Sequence, residues 1–474
     1  MSLAPEFEIK LAAVLARHVS GFRGIVSAER LSGGASQETY RLVIEDHAGE
    51  RRMAMRRVPG GVQSQRAPGH PGMAIGTEAN LMRCARAAGV PEPEVYAVFE
   101  PADGLGDGFV MEWLDGETLG ARIVRSEALA QVRPRLAHQC GEILARIHSI
   151  DVERTGLNRM LERVSPASLV AQTWERYQQY DTPQPMIDFT ARWLAEHLPQ
   201  HRADALVHND FRNGNLMVSP QGVVAVLDWE ISYIGDPMRD LGWICTNSWR
   251  FGRSDLPVGG FGGYEDLFRG YESVSGRPVD REHVKFWEIF GSFWWSVGCL
   301  GMTDGYRNGP DKTVEKLAIG RRTSECQIDC ANLLIPGPIT LVAAQPDSVR
   351  MEMPRIDELV SSVRDYLRDD VMPATEGRLG FMARVASNSL DIVLRDLALG
   401  GPERSLEHGR LRALLGADGD LESLRWRLVH ALRDGSMALD TPGLAEHLRQ
   451  TVANQVAIDQ PGYSGLKTAT AWKA

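Results

Sequence analysis

Apolar and polar residues alternate along the first part of the chain with the period of two that is typical of β-strands. A polar turn at 46–49 divides this region and predicts a hairpin. Val95–Phe99 and Phe109–Trp113 have the same character and predict two further strands. Before them, Thr77 is placed to cap a helix that runs to Gly89. The chain therefore opens with a small region rich in strands.

Helical periodicity takes over around Leu129–Ile150 and returns in the tryptophan-rich segment Phe286–Leu300 and in Thr313–Leu334. Two short apolar strands, Leu216–Val218 and Val223–Leu227, interrupt this helical region and are joined by a turn of Ser, Pro, Gln and Gly. Polar residues lie at the ends of both strands. The pattern predicts a large helical lobe into which one hairpin is inserted.

A Pro-Gly-Pro sequence at 336–338 ends the helical lobe and predicts a domain boundary. Beyond it, apolar residues recur at helical spacing, as at Ile356, Leu359 and Val363. The tail after Gly462 lacks this spacing and is expected to be loose. We predict a β-rich lobe over 1–115, a helical lobe over 116–338 and an all-α module over 350–460 that packs on these two lobes or mediates oligomerisation.

Composition narrows the possible functions. The 474 residues include 52 Lys and Arg against 62 Asp and Glu, and the net charge of -10 argues against a broad nucleic-acid-binding surface. No Gly-Lys-Ser or Gly-Lys-Thr occurs, which excludes P-loop NTPase chemistry. Lysine is rare, and none lies between Lys10 and Lys285. A cationic side chain that contacts phosphate between these two positions would therefore be arginine rather than lysine.

The chain shows no targeting or membrane segment by pattern. Its start lacks a basic region followed by an apolar core, and no later run reaches about 18 apolar residues. The six cysteines are scattered without a Cys-x-x-Cys pair, which is typical of buried thiols in a reducing compartment. We expect a cytoplasmic protein that is neither secreted nor membrane-spanning and that binds no nucleic acid.

The strongest chemical signal lies at the inserted hairpin. The sequence His208-Asn-Asp210-Phe-Arg-Asn-Gly-Asn215 precedes its first strand, and Asp228 follows its second strand within Leu-Asp-Trp-Glu. Asp210 is placed to accept the proton of an attacking hydroxyl. Asn215 and Asp228 offer the hard oxygen ligands that Mg²⁺ prefers beside nucleotide phosphates. This arrangement predicts phosphoryl transfer.

The ordered set of His-x-Asp, the Asn five residues later, and Asp-Trp-Glu resembles the aminoglycoside phosphotransferase family of the protein-kinase-like fold, as does Gly235-Asp-Pro-Met-Arg-Asp240-Leu. The resemblance covers roughly residues 25–335. It implies an α+β, two-lobed protein-kinase-like fold, with a small antiparallel β lobe, a large helical lobe and the all-α module added at the C-terminus. The wording of the motifs is most similar to the kinase-like domains associated with acyl-CoA dehydrogenases.

The resemblance also directs attention to a glycine-containing turn between Leu31 and Tyr40. Its exposed backbone N–H groups and its serine side chains would approach the nucleotide phosphates, or it is a plain hairpin turn. The nucleotide-binding residues expected in this turn are Ser32, Gly33, Gly34 and Ser36.

The family commonly holds the α- and β-phosphates with a strand lysine, and in this chain Arg56 must substitute for it. Arg57 points to the opposite face of the strand by alternation. Glu78 is either the carboxylate that orients Arg56 or an ordinary solvated glutamate of a first helical turn. Glu112 and Trp113 belong to the connector whose backbone reads the adenine edge.

Other polar residues near the motifs have both structural and chemical interpretations. His208 is expected to brace the catalytic loop, and Asp236 and Asp240 to hold loops by accepting backbone N–H bonds. Arg212 either contacts the transferring phosphoryl group or pairs with a nearby acid. The aromatic residues expected in the core rather than in a pocket are Trp287, Phe293, Trp294 and Trp295.

We therefore predict a small-molecule kinase that uses ATP and Mg²⁺, with an alcohol group as acceptor. The resemblance favours a 4-hydroxyacyl-CoA acceptor. An aminoglycoside or macrolide is the alternative acceptor, and Asp304, Asp311 and Glu315 are the acids that an aminoglycoside pocket would use. A third alternative is a nucleotide-binding pseudokinase whose helical tail recruits a partner, since Arg56 replaces the usual lysine.

Overall fold

The computed structural model describes residues 4–31, 37–59, 73–200, 203–344 and 353–472. Its first lobe is built on a five-stranded antiparallel sheet with the strand order β1-β2-β3-β5-β4. The helices and strands of this lobe are α1 Pro5–His18, β1 Gly24–Arg30, β2 Glu38–Asp46, β3 Gly49–Arg57, α2 Ile75–Ala87, β4 Val95–Val98 and β5 Gly108–Glu112.

The predicted hairpin is confirmed, since β2 and β3 pair in register from Glu38–Arg57 to Asp46–Gly49. Two features of this lobe differ from the sequence predictions. The chain begins with the helix α1, whose Leu11 and Leu15 are buried against the sheet. Helix α2 begins before Thr77, because buried Ile75 draws the preceding residues into the helix and the carbonyl of Ala74 accepts the Thr77 N–H.

The second lobe is mostly helical, and its long helix α9 carries the tryptophan-rich segment. Its first elements are α3 Gly120–Arg125, α4 Arg133–His148, β6 Arg163–Val164, α5 Pro166–Gln178, α6 Pro185–Glu196 and β7 Ala205–Val207. The remaining elements are β8 Leu216–Ser219, β9 Gly222–Val226, β10 Tyr233–Gly235, α7 Met238–Cys245, α8 Tyr264–Ser275, α9 Arg281–Asn308, α10 Val314–Arg321 and α11 Thr323–Leu334. Strands β8 and β9 form the predicted inserted hairpin.

The C-terminal module is all helical, as predicted. Its elements are α12 Ile356–Asp365, α13 Gly377–Arg395, α14 Gly401–Leu415, α15 Leu421–Arg433, α16 Leu444–Asp459 and α17 Ser464–Thr470, with π-helical turns at Tyr366–Val371 and Asp396–Gly400. The expectation of a loose tail after Gly462 is wrong. Helix α17 buries Leu466 and Ala469 because they complete an apolar cluster contributed by other elements.

Two large apolar cores organise the chain beyond the sheet. One core joins the β lobe to the helical lobe behind the cleft, through residues such as Phe109, Leu136 and Leu241. The other is shared by the helical lobe and the module, where Phe290 and Ile328 belong to the same cluster as Leu428. Burial of this kind contributes about 25 cal/mol per Å² of apolar surface. The shared core therefore stabilises the packing of the module on the helical lobe.

In the ranges described above, we find no helix that has both the length and the apolar character needed to cross a bilayer.

Candidate active site

The loop between β7 and β8 carries the His-x-Asp motif and is fixed through its backbone. The two carboxylate oxygens of Asp240 accept the N–H groups of His208 and Asn209, each at 2.8 Å. Asn209 has a left-handed backbone with φ of 68°, which is costly for a residue other than glycine. The buried carboxylate of Asp240, expected from sequence to hold a loop, therefore maintains this strained conformation.

Burial alone would raise the pKa of Asp240, but hydrogen bonding and charge from His148, with further help from His208, bring it below its usual value. Asp236 has a comparable role near the start of α7, since it accepts the Met238 N–H at 3.0 Å and the Trp287 indole N–H at 3.0 Å. The two aspartates of the Gly-Asp-Pro motif thus hold backbone and side chains in place, as the sequence indicated.

The carboxylate of Asp210 is held by three neighbours. Its Oδ1 accepts hydrogen bonds from Arg212 Nε at 2.9 Å and from Trp243 Nε1 at 2.8 Å. Its Oδ2 accepts from Asn215 Nδ2 at 2.6 Å. Three residues singled out from sequence therefore lie in direct contact, and Asn215 retains its Oδ1 as a ligand atom. Three donors restrict the rotation of the Asp210 side chain.

Asp228 lies just after β9 with a left-handed φ of 69°. Its pKa is raised to about 6 by burial and by the negative charges of Glu230, Asp210 and Glu78, against the opposing charge of Arg56. Carboxylates crowded in this way bind a cation well, because a positive ion relieves their mutual repulsion. The donor set of Asp228 and Asn215 therefore fits Mg²⁺.

The described residues contain no group of three or more His, Cys, Asp or Glu side chains arranged to hold a metal. A cation held by Asp228 and Asn215 would therefore need further ligands from a bound molecule. One carboxylate, one amide oxygen and phosphate oxygens form a set of the kind that Mg²⁺ accepts beside nucleotides.

Arg56 on β3 lies close to two carboxylates of the cleft, those of Glu78 and Asp228. Its Nη1 lies 2.5 Å from Glu78 Oε1, and its Nη2 lies 3.8 Å from Asp228 Oδ1. Glu78 on α2 is buried and also accepts a hydrogen bond from Gln37 Nε2 at 3.1 Å. Glu78 is thus not a solvated first-turn residue, and Gln37 is a partner that sequence reasoning missed.

Arg57 lies on the opposite face of β3, as alternation predicts. Its guanidinium is 4.5 Å from the centre of the Phe7 ring and pairs with Glu38 at 3.5 Å. Of the two adjacent arginines, Arg56 is therefore the one that faces the cleft.

The connector after β5 has its side chains engaged within the protein. The Glu112 N–H donates to the carbonyl of Glu94 at 2.8 Å, and the Glu112 carboxylate accepts the Glu94 N–H at 3.1 Å. The indole of Trp113 donates to Asp115 at 2.9 Å, and Arg52 lies over its ring. The turn that contains Ser32, Gly33, Gly34 and Ser36 lies outside the described residues.

His208 is fully buried and braces the loop. Its Nδ1 accepts the Asp210 N–H at 3.2 Å, and its ring packs 4.6 Å from that of Trp229. Burial lowers the pKa of His208 despite the nearby charges of Asp240 and Asp210. A buried neutral imidazole that accepts from the backbone agrees with the structural role expected from sequence.

A tryptophan cluster borders the catalytic loop and was not assigned to the site from sequence. Trp243 binds Asp210, and the guanidinium of Arg212 lies 4.3 Å from the centre of the Trp249 ring. The ring of Trp249 lies 5.1 Å from Trp243 and 5.6 Å from Trp295. Trp243 follows the Asp-Leu-Gly sequence directly, so its place in that motif was the available signal.

Of the four aromatic residues expected in the core, two lie in the core and two contact the tryptophan cluster. Trp287 and Phe293 are fully buried, as expected of core residues. Trp294 and Trp295 are half-buried, and Trp294 packs 5.1 Å from Trp243. Both contact the tryptophan cluster, Trp294 through Trp243 and Trp295 through Trp249, so they are only partly core residues.

Comparison with known proteins agrees with this geometry. The model of the phosphotransferase enzyme family (APH) matches residues 27–277. The chain belongs to this family. A second family model, described as a domain of unknown function, matches residues 373–463 within the module. The predicted two-lobed kinase-like fold and the prediction of a small-molecule kinase are thereby confirmed at the level of the family.

The curated relatives of this phosphotransferase are named after another enzyme. Acyl-CoA dehydrogenase family member 10 of Mus musculus is 30% identical over 244 residues, which is 50% of this chain and 21% of the relative. Family member 11 of Rattus norvegicus is 30% identical over 251 residues, which is 50% of this chain and 30% of the relative. The chain therefore spans less than a third of the length of these two relatives.

A solved structure from Ralstonia eutropha JMP134, described as an aminoglycoside phosphotransferase, is 25% identical to this chain. It superposes with a TM-score of 0.55 and covers 67% of this chain and 95% of its own.

Proposed function

We propose that the chain transfers the γ-phosphoryl group of ATP to a hydroxyl group of a small molecule, with Mg²⁺ as cofactor. The observation that carries this proposal is that Asn215 lies 2.6 Å from Asp210, Arg56 lies 3.8 Å from Asp228, and the charge of Asp210 acts on Asp228. Phosphoryl transfer depends mainly on positioning and on charge neutralisation, and these four side chains offer both.

In this proposal Asp210 orients the acceptor hydroxyl and takes its proton as the acceptor oxygen bonds to the γ-phosphorus and the bond to the ADP oxygen breaks. Arg56 and the Ser32–Ser36 turn steady the phosphates, and the connector at Glu112 and Trp113 borders the adenine. Because the Glu112 N–H is already bound, the backbone of the residues after it would read the base. Arg212 adds positive charge beside Asp210.

Asn215 and Asp228 would hold Mg²⁺, which supplies charge neutralisation at the phosphate oxygens when it is bound. The crowded acids around Asp228 support this assignment, since they leave negative charge that Arg56 alone does not balance. The role of Glu78 is to hold Arg56 in the direction of the cleft.

We propose a 4-hydroxyacyl-CoA thioester as the leading acceptor. The support is the relationship to proteins named as acyl-CoA dehydrogenase family members, together with the motif wording described above. Trp294 and Trp295 are half-buried and contact the buried Trp243 and Trp249, and such rings would suit an acceptor with an apolar acyl chain, because aromatic side chains bury alkyl groups favourably.

An aminoglycoside acceptor is less well supported, because a polycation needs free acids and the acids expected to serve it are occupied. Asp311 pairs with Lys316 at 3.2 Å, and Glu315 lies 3.7 Å from Arg378. Asp304 accepts a hydrogen bond from Asn308 at 2.7 Å.

A nucleotide-binding pseudokinase is the other alternative, suggested by arginine at position 56. Against it, Arg56 forms the pair with Glu78 that a phosphate-binding cation needs, and Asp210, Asn215 and Asp228 are all present. A purified chain that binds nucleotide but transfers no phosphoryl group to any acceptor would support this alternative.

The test is a coupled ADP-release assay with the purified full-length chain and Mg²⁺-ATP. The acceptors are 4-hydroxyacyl-CoA thioesters, aminoglycosides, macrolides and small amino alcohols, and the product is identified by mass spectrometry. We expect ADP release above background with the 4-hydroxyacyl-CoA thioesters and with none of the other acceptors. Equal background release with all acceptors would contradict the proposal.

A further inference from the structure

A cavity of about 340 Å³ lies between the helical lobe and the module, apart from the catalytic cleft. Helices α10 and α11 form one wall, α13 forms the other, and the end of α16 closes it with Asp459 and Gln460. Its volume falls within the range of sites that hold small molecules or portions of larger ones. Nothing in the proposed chemistry at Asp210 accounts for this cavity.

One stripe of α13 faces the cavity. Phe381, Val385, Asn388, Ile392 and Arg395 follow one another at intervals of three or four residues and so share a helix face. The stripe offers an exposed aromatic ring, an aliphatic wall, an amide and a cation in that order. This combination suits a ligand that carries both a flat ring and a phosphate.

The acids that line the cavity are each paired with an arginine. Glu325 pairs with Arg322, Asp459 with Arg321, and Asp391 with Arg364 and Arg368. The fourth acid, Glu315, lies 3.7 Å from Arg378. Each carboxylate of the lining therefore has an arginine within 4 Å, and for Asp391 and Glu315 that arginine lies outside the lining.

Arg395 also lines the cavity, and it forms no ion pair with these acids. It donates from Nε to the carbonyl of Ile458 and from Nη2 to the carbonyl of Asp459. Among the described residues it forms no ion pair within 4 Å, and the charges of Asp391 and Asp459 act on it from a longer distance. A phosphate would be the natural complement of its positive charge, because guanidinium and phosphate form charge-assisted hydrogen bonds.

Side-chain contacts lead from the catalytic loop toward this cavity. Trp243 binds Asp210 and packs against Trp249, which packs against Trp295. The next residue, Ser296, accepts a hydrogen bond at its carbonyl from the Thr323 hydroxyl at 3.1 Å. Thr323 is adjacent to Arg322, which lines the cavity. These contacts thus connect the Asp210 loop with one wall of the cavity through the helical lobe.

We propose that this cavity binds the phosphorylated nucleotide end of the acceptor while the hydroxyl end lies at Asp210. The proposal rests on the proposed function, because it assumes that the acceptor is a coenzyme A thioester. It assigns a substrate-binding role to the module, whose α13 supplies Phe381, Asn388 and Arg395.

The direct test measures binding of adenosine 3′,5′-bisphosphate to the full-length chain by isothermal titration calorimetry. Saturating Mg²⁺ and a non-hydrolysable ATP analogue keep the probe out of the catalytic nucleotide site. We expect binding by the wild type, and at least about tenfold weaker binding by Arg395→Ala and Asn388→Asp. Asn388 is exposed and makes no hydrogen bond with the described residues, so its variant should fold even if loss of Arg395 disturbs α16. The control is Arg404→Ala, an arginine of the same module that pairs with Asp396 outside the cavity.

Kinetics distinguish this proposal from the proposed function. We expect the wild type to phosphorylate both the coenzyme A thioester and the pantetheine thioester of the same hydroxy acid. The Asn388→Asp variant should raise KM for the coenzyme A thioester alone, with kcat unchanged. Failure of the wild type to phosphorylate either thioester would contradict the proposed function. Absence of bisphosphate binding, or equal binding by all variants, would overturn the cavity assignment.

Discussion

Two polar clusters in this molecule use charge in opposite ways. In the cleft, Asp210 pairs with Arg212 and Glu78 pairs with Arg56, and the pKa of Asp228 is raised to about 6 by burial and by neighbouring acids. The charges there are unevenly matched. A site that must bind phosphates and a cation can leave some of the balancing charge to its ligands.

At the junction between the helical lobe and the module, each buried acid has a protein partner. Asp188 on α6 accepts hydrogen bonds from Arg433 Nε at 2.7 Å and Trp174 Nε1 at 2.8 Å. Asp329 on α11 accepts from Asn247 at 2.8 Å and from Tyr463 at 2.5 Å. The comparison teaches that the cleft leaves part of its negative charge to be balanced by ligands, whereas the junction holds its buried acids with hydrogen-bond donors of the protein.

The largest expected effect would come from the cleft. Asp210→Asn keeps the shape of the side chain but removes the proton acceptor, so kcat should fall about a thousandfold. Binding of a fluorescent ATP analogue and the unfolding midpoint should change little. The control is Asp255→Asn, since Asp255 is an exposed partner of Arg253. An unchanged kcat would remove Asp210 from the reaction.

Breaking the junction should affect stability instead of chemistry. Arg433→Ala leaves the buried carboxylate of Asp188 without its cation, and the free energy of unfolding should fall by about 3–5 kcal/mol. Urea denaturation followed by tryptophan fluorescence measures this loss. Arg412→Ala, at an exposed pair with Asp418, should cost less than about 1 kcal/mol. Equal costs for the two variants would contradict the comparison.

A smaller effect is expected from the residue that orients Arg56. Glu78→Gln keeps a similar shape but loses the ion pair, and KM for ATP should rise about tenfold, the loss of one charge-assisted hydrogen bond. Steady-state kinetics with varied ATP measures the change. The matched control is Glu38→Gln, because Glu38 pairs with Arg57 on the other face of the same strand. A similar rise in KM for ATP in Glu38→Gln would show that ATP binding does not depend specifically on the pair of Arg56 and Glu78.

The smallest effect concerns pH. Burial raises the pKa of Asp329 to about 7, against the opposing effects of Tyr463 and Asn247, whereas its unfolded value is near 3.8. The native state therefore binds the proton more tightly. The stabilisation is complete below about pH 4 and is lost as pH rises toward 7.

Asp329→Asn resembles the protonated acid and should remove this contribution to the pH dependence. We expect the variant to melt at a higher temperature than the wild type at pH 8 and at the same temperature at pH 4. Thermal melts followed by circular dichroism measure both. The same difference in melting temperature between variant and wild type at pH 4 and at pH 8 would contradict the pKa assignment.

Much of the candidate site could be predicted from the sequence because its residues are close together along the chain. Asp210, Arg212 and Asn215 belong to one loop, and a hairpin returns the chain to Asp228. Alternation along β3 also distinguished Arg56 from Arg57. Local geometry was sufficient for these predictions.

Residues that reach the site from distant elements could not be found in this way. Gln37 contacts Glu78 across 41 positions, and Trp243 contacts Asp210 across 33 positions. No spacing rule connects such pairs, because only packing brings their elements together. The order of the tail was missed for the same reason, since Leu466 is buried in a cluster to which α11 and α16 contribute.

The sequence by itself determined the kinase-like motifs, the succession of β lobe, helical lobe and module, and the type of chemistry, because these depend on residue type and short-range periodicity. Only the tertiary structure decided how Glu78 pairs with Arg56, which acids are already neutralised, and that the module shares a core with the helical lobe. Burial and charge balance are sums over neighbours from many regions of the chain, and they exist only once the chain has folded.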